Sequence, residues 1–468
     1  MRRPPRPVDL PGTTCTSDFP TWGLSGMSGR NRRGRDVMGV GLAALNRLAG
    51  VSVIDRLGLR RQTEKAVYEA SRAGFRTVAA ANRTFAKAPG RGAGKRPSTA
   101  TGSGLFDLTP TDEQKMFVEA TSEFAAEQLR PVAADADAEC AAPDTVLKRS
   151  VTELGLAQLT VPESLGGMAS ERSVTTGALV AEALAHGDMG LAVACLAPAA
   201  VANALVLWGD ESQQQTYLPA FVGDDVPAAA LCVLEPRPLF DPFDLRTTAR
   251  ETPDGYVLDG VKSLVPRAAS AELFVVAAAL EGTPALFVLE SGTTGITVES
   301  EPAMGLRAAA TSRVLLDGVT VPKAALLGAA AADVYADCIR LSRIGWASLA
   351  CGTGKAVLDY VIPYVNERKA FGEPISNRQA VAFMVANIGI ELEGARLTTL
   401  RAAARAEQGR SFAREAALAR RLTAEYGMQI GSNGVQLLGG HGYVKEHPVE
   451  RWYRDLRAAA VMEGAVLV

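Results

Sequence analysis

The apolar period changes twice along this chain, and that alternation limits the folds open to it. From about Leu108, LTPTDEQKMFVEATSEFAAEQLRPVA and then ELGLAQLTV, SVTTGALVAEALAHG and DESQQQTYLPAFVG place apolar residues every three or four positions, the stripe of amphipathic helices, punctuated by Gly and Pro. Thr109 as N-cap, Pro110 at the first helical position and Glu113 close behind mark the start of the first helix. Within 229–328 the runs turn short and β-rich (ALCVLE, GYVLDGVKSLV, AELFVVAAAL, ALFVLES, GITVES, RVLLDGVTV), separated by DG, GT and PDG turns. Long helical patterns then return over Asp333–Glu367, Ser376–Gln408 and Ser411–Leu438. The order describes an α+β, mainly α protein: an N-terminal helical domain (105–228), a small antiparallel β domain, sandwich or barrel (229–328), and a C-terminal four-helix bundle (329–468).

Composition bears on what the rest of the chain does. Hydrophobic residues make up 47% and charged residues 21%, and no run of 18 apolar residues announces a membrane span. Six scattered cysteines without CxxC pairs, and only three histidines, point to a reducing compartment and to no metal. Residues 1–36, rich in Pro, Gly, Ser and Arg, read as disordered, and 37–104 as a basic helical extension and linker. Residues 1–100 hold 19 Lys and Arg against 6 Asp and Glu, leaving 30 against 45 beyond them. That asymmetry suits either a solvated basic face or an anionic partner such as a membrane surface or an acidic protein, and nothing points to nucleic acid. The expected location is cytoplasmic, peripheral to a membrane if the basic segment contacts one.

The chain ends RDLRAAAVMEGAVLV, in which Glu463 is the last charge, between Val461 and Met462 on one side and Ala465 and Val466 on the other. An unpaired carboxylate in apolar surroundings is costly, so such a tail is either exposed or keeps its acid for a task.

Two segments of the bundle make the pattern specific. ERKAFGEPISNRQAVAF resembles the ERKxFGxPIxxxQ segment of the acyl-CoA dehydrogenase family, and VQLLGGHGYVKEHPVERWYRDLRAAAVMEG resembles its QxxGGxGYxxEYPVER signature, with the terminal Glu-Gly in register. The resemblance runs over Leu105–Gly464 and implies an FAD enzyme that takes an acyl-CoA substrate and passes electrons to an electron-transfer flavoprotein, as a homotetramer or as a heterotetramer with a related subunit. It assigns Glu463 as the base that removes the α-proton, with the backbone around Glu463 and Gly464 and Arg343 on the substrate side. Partial desolvation would bring such a carboxylate toward the working pH. Some branches carry the base just before that Arg, where this chain has Ser342. Arg368, Phe371, Gln379, Gln436, Gly439 and Gly440 match positions that hold the flavin of a neighbouring subunit.

The β domain departs from the pattern. Where the family has TEPxxGSD this chain reads Leu234-Glu235-Pro236-Arg237-Pro238-Leu239-Phe240-Asp241, and where it has K-x-Trp-Ile-Thr the chain has Leu264 and Pro266 in place of Trp and Thr. The hydroxyl expected after Gly464 is lost at Ala465. Three readings follow: a dehydrogenase whose flavin site is remodelled, with Arg237 and Arg267 as new polar contacts; a flavin-poor, non-catalytic partner subunit; or a flavin oxidase or monooxygenase on the same fold. Acyl-chain length is not legible.

Overall fold

A computed structural model describes residues 108–169 and 173–463. The expectations for 1–107, including the basic extension and its membrane contact, lie outside the described residues, as do Gly464, Ala465 and Val466.

The N-terminal helices are α1 (Asp112–Phe124), α2 (Ala133–Glu139), α3 (Asp144–Arg149), α4 (Val174–Gly187), α5 (Met189–Trp208) and α6 (Glu211–Tyr217). The cap of α1 is Thr111, not Thr109. Gln114, three residues on, is long enough to return a bond to the Thr111 amide (3.0 Å) while its own amide donates to Thr111 Oγ1 (3.2 Å), a capping box. The ELGLAQLTV segment is mostly turn instead of helix, because Gly155, at φ +61°, closes the preceding helical turn in the left-handed conformation.

Helix α5 is apolar on every side. It is long and apolar enough by length and composition to cross a membrane, with a mean hydropathy of 2.1, yet it is largely buried as the core helix between the two main apolar clusters. Pro198 inside it has no N–H for the carbonyl of Ala194, and Arg267 Nη1 from the β domain donates to that oxygen at 3.3 Å.

The β domain is one sheet in the order β6 (Ile296–Ser300), β7 (Ser312–Pro322), β3 (Gly255–Val265), β2 (Thr248–Thr252), β4 (Leu273–Leu280), β5 (Thr283–Glu290), β8 (Leu326–Leu327), with β1 (Ala229–Cys232) also on β4. Most neighbours are antiparallel, but β1 and β2 both run parallel to β4. Strand β2, TARET, is too polar to have been read as a strand.

The bundle has three long helices, α7 (Ala332–Glu367), α8 (Gln379–Glu407) and α9 (Ala413–Leu438), followed by the short α10 (Val449–Leu456) and α11 (Ala458–Val461). A buried charge cluster ties α10 to the other two domains. Arg451 Nε meets Asp188 at 2.9 Å, Arg454 forks onto Asp137 at 2.8 and 2.9 Å, and Asp455 accepts the Leu306 amide at 2.7 Å. Since α10 runs directly into α11 and then Glu463, the cluster fixes where the end of the described chain lies.

Candidate active site

Helix α7 builds one wall. Cys338, Ser342 and Trp346 recur every four residues and so share a face. Ser342 Oγ and Trp346 Nε1 (2.9 Å) both donate to Glu463 Oε1, joining residues more than a hundred positions apart. Glu463 follows α11 in the left-handed region (φ +58°) and is 7% exposed. Its Oε2 has no hydrogen-bond partner among the described residues. Burial pushes its pKa up to about 7, although Arg420 of α9, the Trp346 hydrogen bond and Arg343 pull the other way. Arg343 is itself lowered by desolvation, and its Nε is buried without a hydrogen-bond partner among the described residues.

The expected apolar cradle is only half present. Met462 is buried, but Val461 is 46% exposed. The surroundings of the carboxylate are instead two donors and two guanidinium groups, which the local sequence does not show. Ser342, in the slot that other branches give to the base, here hydrogen-bonds to the acid.

A cavity of about 710 Å³ opens on Glu463, Ser342 and Trp346 and extends between α1, α4, α5 and α7. Leu264 and Pro266 line it from the β domain. The register of β3 against β7 shifts between Lys262 and Val265, so Leu264 is the extra residue of a bulge, at φ +50°. Glu301 Oε2 clamps the bulge by accepting the Leu264 amide (2.8 Å) and Ser263 Oγ (2.9 Å). Leu234, Ser263 and Leu264 also border a second cavity of about 280 Å³, together with Glu235, Phe240, Ala460 and Val461. Under this floor lies a fully buried ion pair, Lys262 Nζ to Glu235 Oε1 at 3.0 Å, with the carboxylate also accepting the Arg246 and Thr247 amides.

Both arginines offered as replacement contacts already make bonds within the chain, although Arg237 lines the second cavity and its Nε has no hydrogen-bond partner among the described residues. Arg237 is spent on its own loop, on Asp244 Oδ2 (3.0 Å) and the Asp241 carbonyl, with its guanidinium over Phe240. Arg267 is held on Ala194.

The remaining candidates gather elsewhere. Arg368 ends α7, Phe371 sits in the β9–β10 hairpin (Lys369–Ala370, Glu373–Pro374), Gln379 opens α8, and Gln436, Gly439 and Gly440 close α9. Successive antiparallel helices bring these to one end of the bundle, where all are exposed, Phe371 at 92%. Gly439 takes φ +58° and ψ −131°, a conformation open essentially to glycine alone, and a Cβ there would meet nothing. Nearby, His441, Glu446 and His447 bring one ligand atom each within 4.8 Å of one another, a grouping that their spacing in the sequence does not announce.

Family profiles for the N-terminal, middle and C-terminal domains of acyl-CoA dehydrogenases match residues 111–225, 230–319 and 332–466. The chain belongs to the acyl-CoA dehydrogenase family. A short/branched chain specific acyl-CoA dehydrogenase, mitochondrial, of Bos taurus is 32% identical over 377 residues, covering 78% of this chain and 86% of that protein. A short-chain specific acyl-CoA dehydrogenase, mitochondrial, of Homo sapiens is 32% identical over 368 residues, covering 75% and 87%. The solved butyryl-CoA dehydrogenase of Megasphaera elsdenii superposes with a TM-score of 0.72 at 28% identity, covering 77% of this chain and 97% of that one.

Proposed function

We propose that this protein is an FAD-dependent dehydrogenase that introduces a double bond between Cα and Cβ of an acyl-CoA thioester, with Glu463 as the base. The observation that carries the reading is the state of that carboxylate: buried, anchored through Oε1 by Ser342 and Trp346, and left with Oε2 unbonded beside a cavity.

Each part follows from the chain's own groups. Desolvation raises the proton affinity of Glu463 to about 7, so near neutral pH a large fraction is ionised and still basic enough to take an activated α-proton. Ser342 and Trp346 fix Oε1 and thereby leave Oε2 to receive that proton. Arg420 and Arg343 keep enough positive potential nearby for the acid to ionise at all. The mostly apolar cavity wall excludes water from a carbanion-like transition state.

The residues fit a flavin, though not with the usual side chains. Paired cavities meet at the bulged Leu264, whose apolar side chain and that of Pro266 offer a wall for a ring, while Arg237 borders the second cavity with its Nε unbonded among the described residues. FAD supplies the acceptor for the β-hydrogen as hydride, with an electron-transferring flavoprotein as the next carrier. Arg368, Phe371, Gln379, Gln436, Gly439 and Gly440 would hold the flavin of a second copy. Ser342 and Arg368 stand 26 positions apart on α7, about 39 Å at 1.5 Å per residue, so these residues do not serve the site at Glu463 in the same chain.

The visible spectrum tests the proposal. Purified protein should be yellow and lose absorbance when an acyl-CoA from a chain-length series is added. Glu463→Gln should keep the colour and lose the bleaching by at least about a thousandfold in rate. Colourless protein, or a variant that bleaches like the wild type, overturns the reading.

A further inference from the structure

Apart from Glu463, one polar group on the main cavity wall has no hydrogen-bond partner among the described residues. Leu196, Ala200, Asn203 and Leu207 project from the same face of α5 and all line the cavity. Asn203 is the odd member of this stripe: its Oδ1 is buried without a hydrogen-bond partner, and its amide makes no other side-chain hydrogen bond among the described residues. A hydrophobic residue in its place would match its neighbours and avoid the cost of a bare amide. The rest of the lining narrows what could meet it. Among the described residues no Lys, Arg or His lines the cavity, so a second carboxylate on a ligand would find no counter-charge from them. Of the acidic lining residues, Glu113 is exposed and Glu407 is engaged by Ser173 Oγ and the Thr175 amide, both at 2.9 Å, which leaves Glu463 at the reacting end.

We infer that Asn203 is a specificity-determining residue for an acyl thioester whose chain carries an uncharged hydroxyl group. A hydroxyl both donates and accepts, so it satisfies the amide whichever way the amide is turned. A plain alkyl chain of the same length covers the amide with hydrocarbon and leaves it unpaired, which is the situation that makes polar sites discriminate strongly. The inference rests on the dehydrogenase reading for the thioester, while the selectivity at Asn203 is readable without turnover.

The experiment is equilibrium binding by calorimetry, in a Glu463→Gln background that prevents turnover, of octanoyl-CoA and a set of octanoyl-CoA thioesters hydroxylated at single carbons beyond Cβ. At one hydroxyl position or more, the hydroxylated ligand should bind about tenfold more tightly than octanoyl-CoA. Adding Asn203→Leu should abolish or invert that ratio, mainly by tightening octanoyl-CoA, and should leave the melting temperature of the ligand-free protein no lower. A preference for octanoyl-CoA at every position, a ratio that Asn203→Leu does not move, or no binding by any of the set overturns the inference. Absence of bleaching in the wild type, with the binding ratio intact, instead counts against the dehydrogenase reading alone.

Discussion

At the scale of single residues, the raised proton affinity of Glu463 has a consequence for stability as well as for chemistry. The folded state holds the proton more tightly than the unfolded chain, from an ordinary 4.5 up to about 7. The cost of ionising the buried acid is therefore absent below pH 4.5, grows as pH rises, and is complete above about 7, where it amounts to roughly 3 kcal/mol. Glu463→Gln, which keeps the acceptor for Ser342 and Trp346, should match the wild type in melting temperature at pH 4 and exceed it at pH 8. Equal melting temperatures at both pH values would mean that the acid is not desolvated. The same groups set the kinetic profile. The rate of substrate-induced bleaching should climb with pH through an apparent pKa near 7. Removing a donor by Trp346→Phe, or the nearby charge by Arg420→Gln, should move that midpoint upward, because both now lower the pKa of the acid. Much of this site was legible in the sequence: a lone acid in an apolar tail, in register with a family motif. Ser342, Trp346 and Arg420 were not, because they meet Glu463 only through the packing of α7 and α9. The four-residue recurrence of Cys338, Ser342 and Trp346 was the one local hint that they share a face.

At the scale of elements, two departures from regular structure shape the cavity, and each is compensated by a side chain distant in sequence. The β3 bulge costs about 1 kcal/mol for a left-handed leucine, offset by the Glu301 carboxylate that takes up the freed amide. The proline in α5 leaves an orphan carbonyl, and Arg267 supplies its donor. If that bond is the role of Arg267, Arg267→Met should destabilise the protein by about 1–2 kcal/mol, and by clearly less once Pro198→Ala has returned an amide to Ala194 O. A double-mutant cycle by chemical denaturation reads the coupling, and additive effects would show that the two residues act independently. Neither feature was visible beforehand. Pro198 is read easily enough as an interruption, but which residue compensates for it is a tertiary fact. The long bundle helices, by contrast, were legible to within three residues at their ends, since their apolar periodicity is sustained over many turns.

At the scale of the whole molecule, the described surface carries an exposed apolar stripe on one bundle helix. Phe383, Ile390 and Leu397 lie seven residues apart along the outer side of α8 and are 60%, 71% and 43% exposed, while Ile388, Leu392 and Ala395 face the bundle. Such a stripe on a long helix is what a second helix packs against. On the proposed reading, the exposed set around Arg368 and Gly439 would call for a second copy for a different reason, since its distance from Glu463 along α7 keeps it from a flavin at the same chain's Glu463. Both observations favour assembly from copies of this chain over a monomer, and they make assembly and cofactor retention one equilibrium. Ile390→Lys places an unpaired charge at the middle of the apolar stripe, where burial against a partner would leave it without a counter-ion. Light scattering should show the wild type as a dimer or larger and the variant shifted to smaller species at the same concentration. The released fraction should also lose its yellow colour on gel filtration, because residues such as Arg368 and Gln436 are then no longer presented to a neighbour's flavin. Circular dichroism should be unchanged, since the side chain projects away from the bundle core. A wild type that is monomeric and fully yellow would place every flavin contact within one chain and leave the exposed end of the bundle with no part in holding the cofactor.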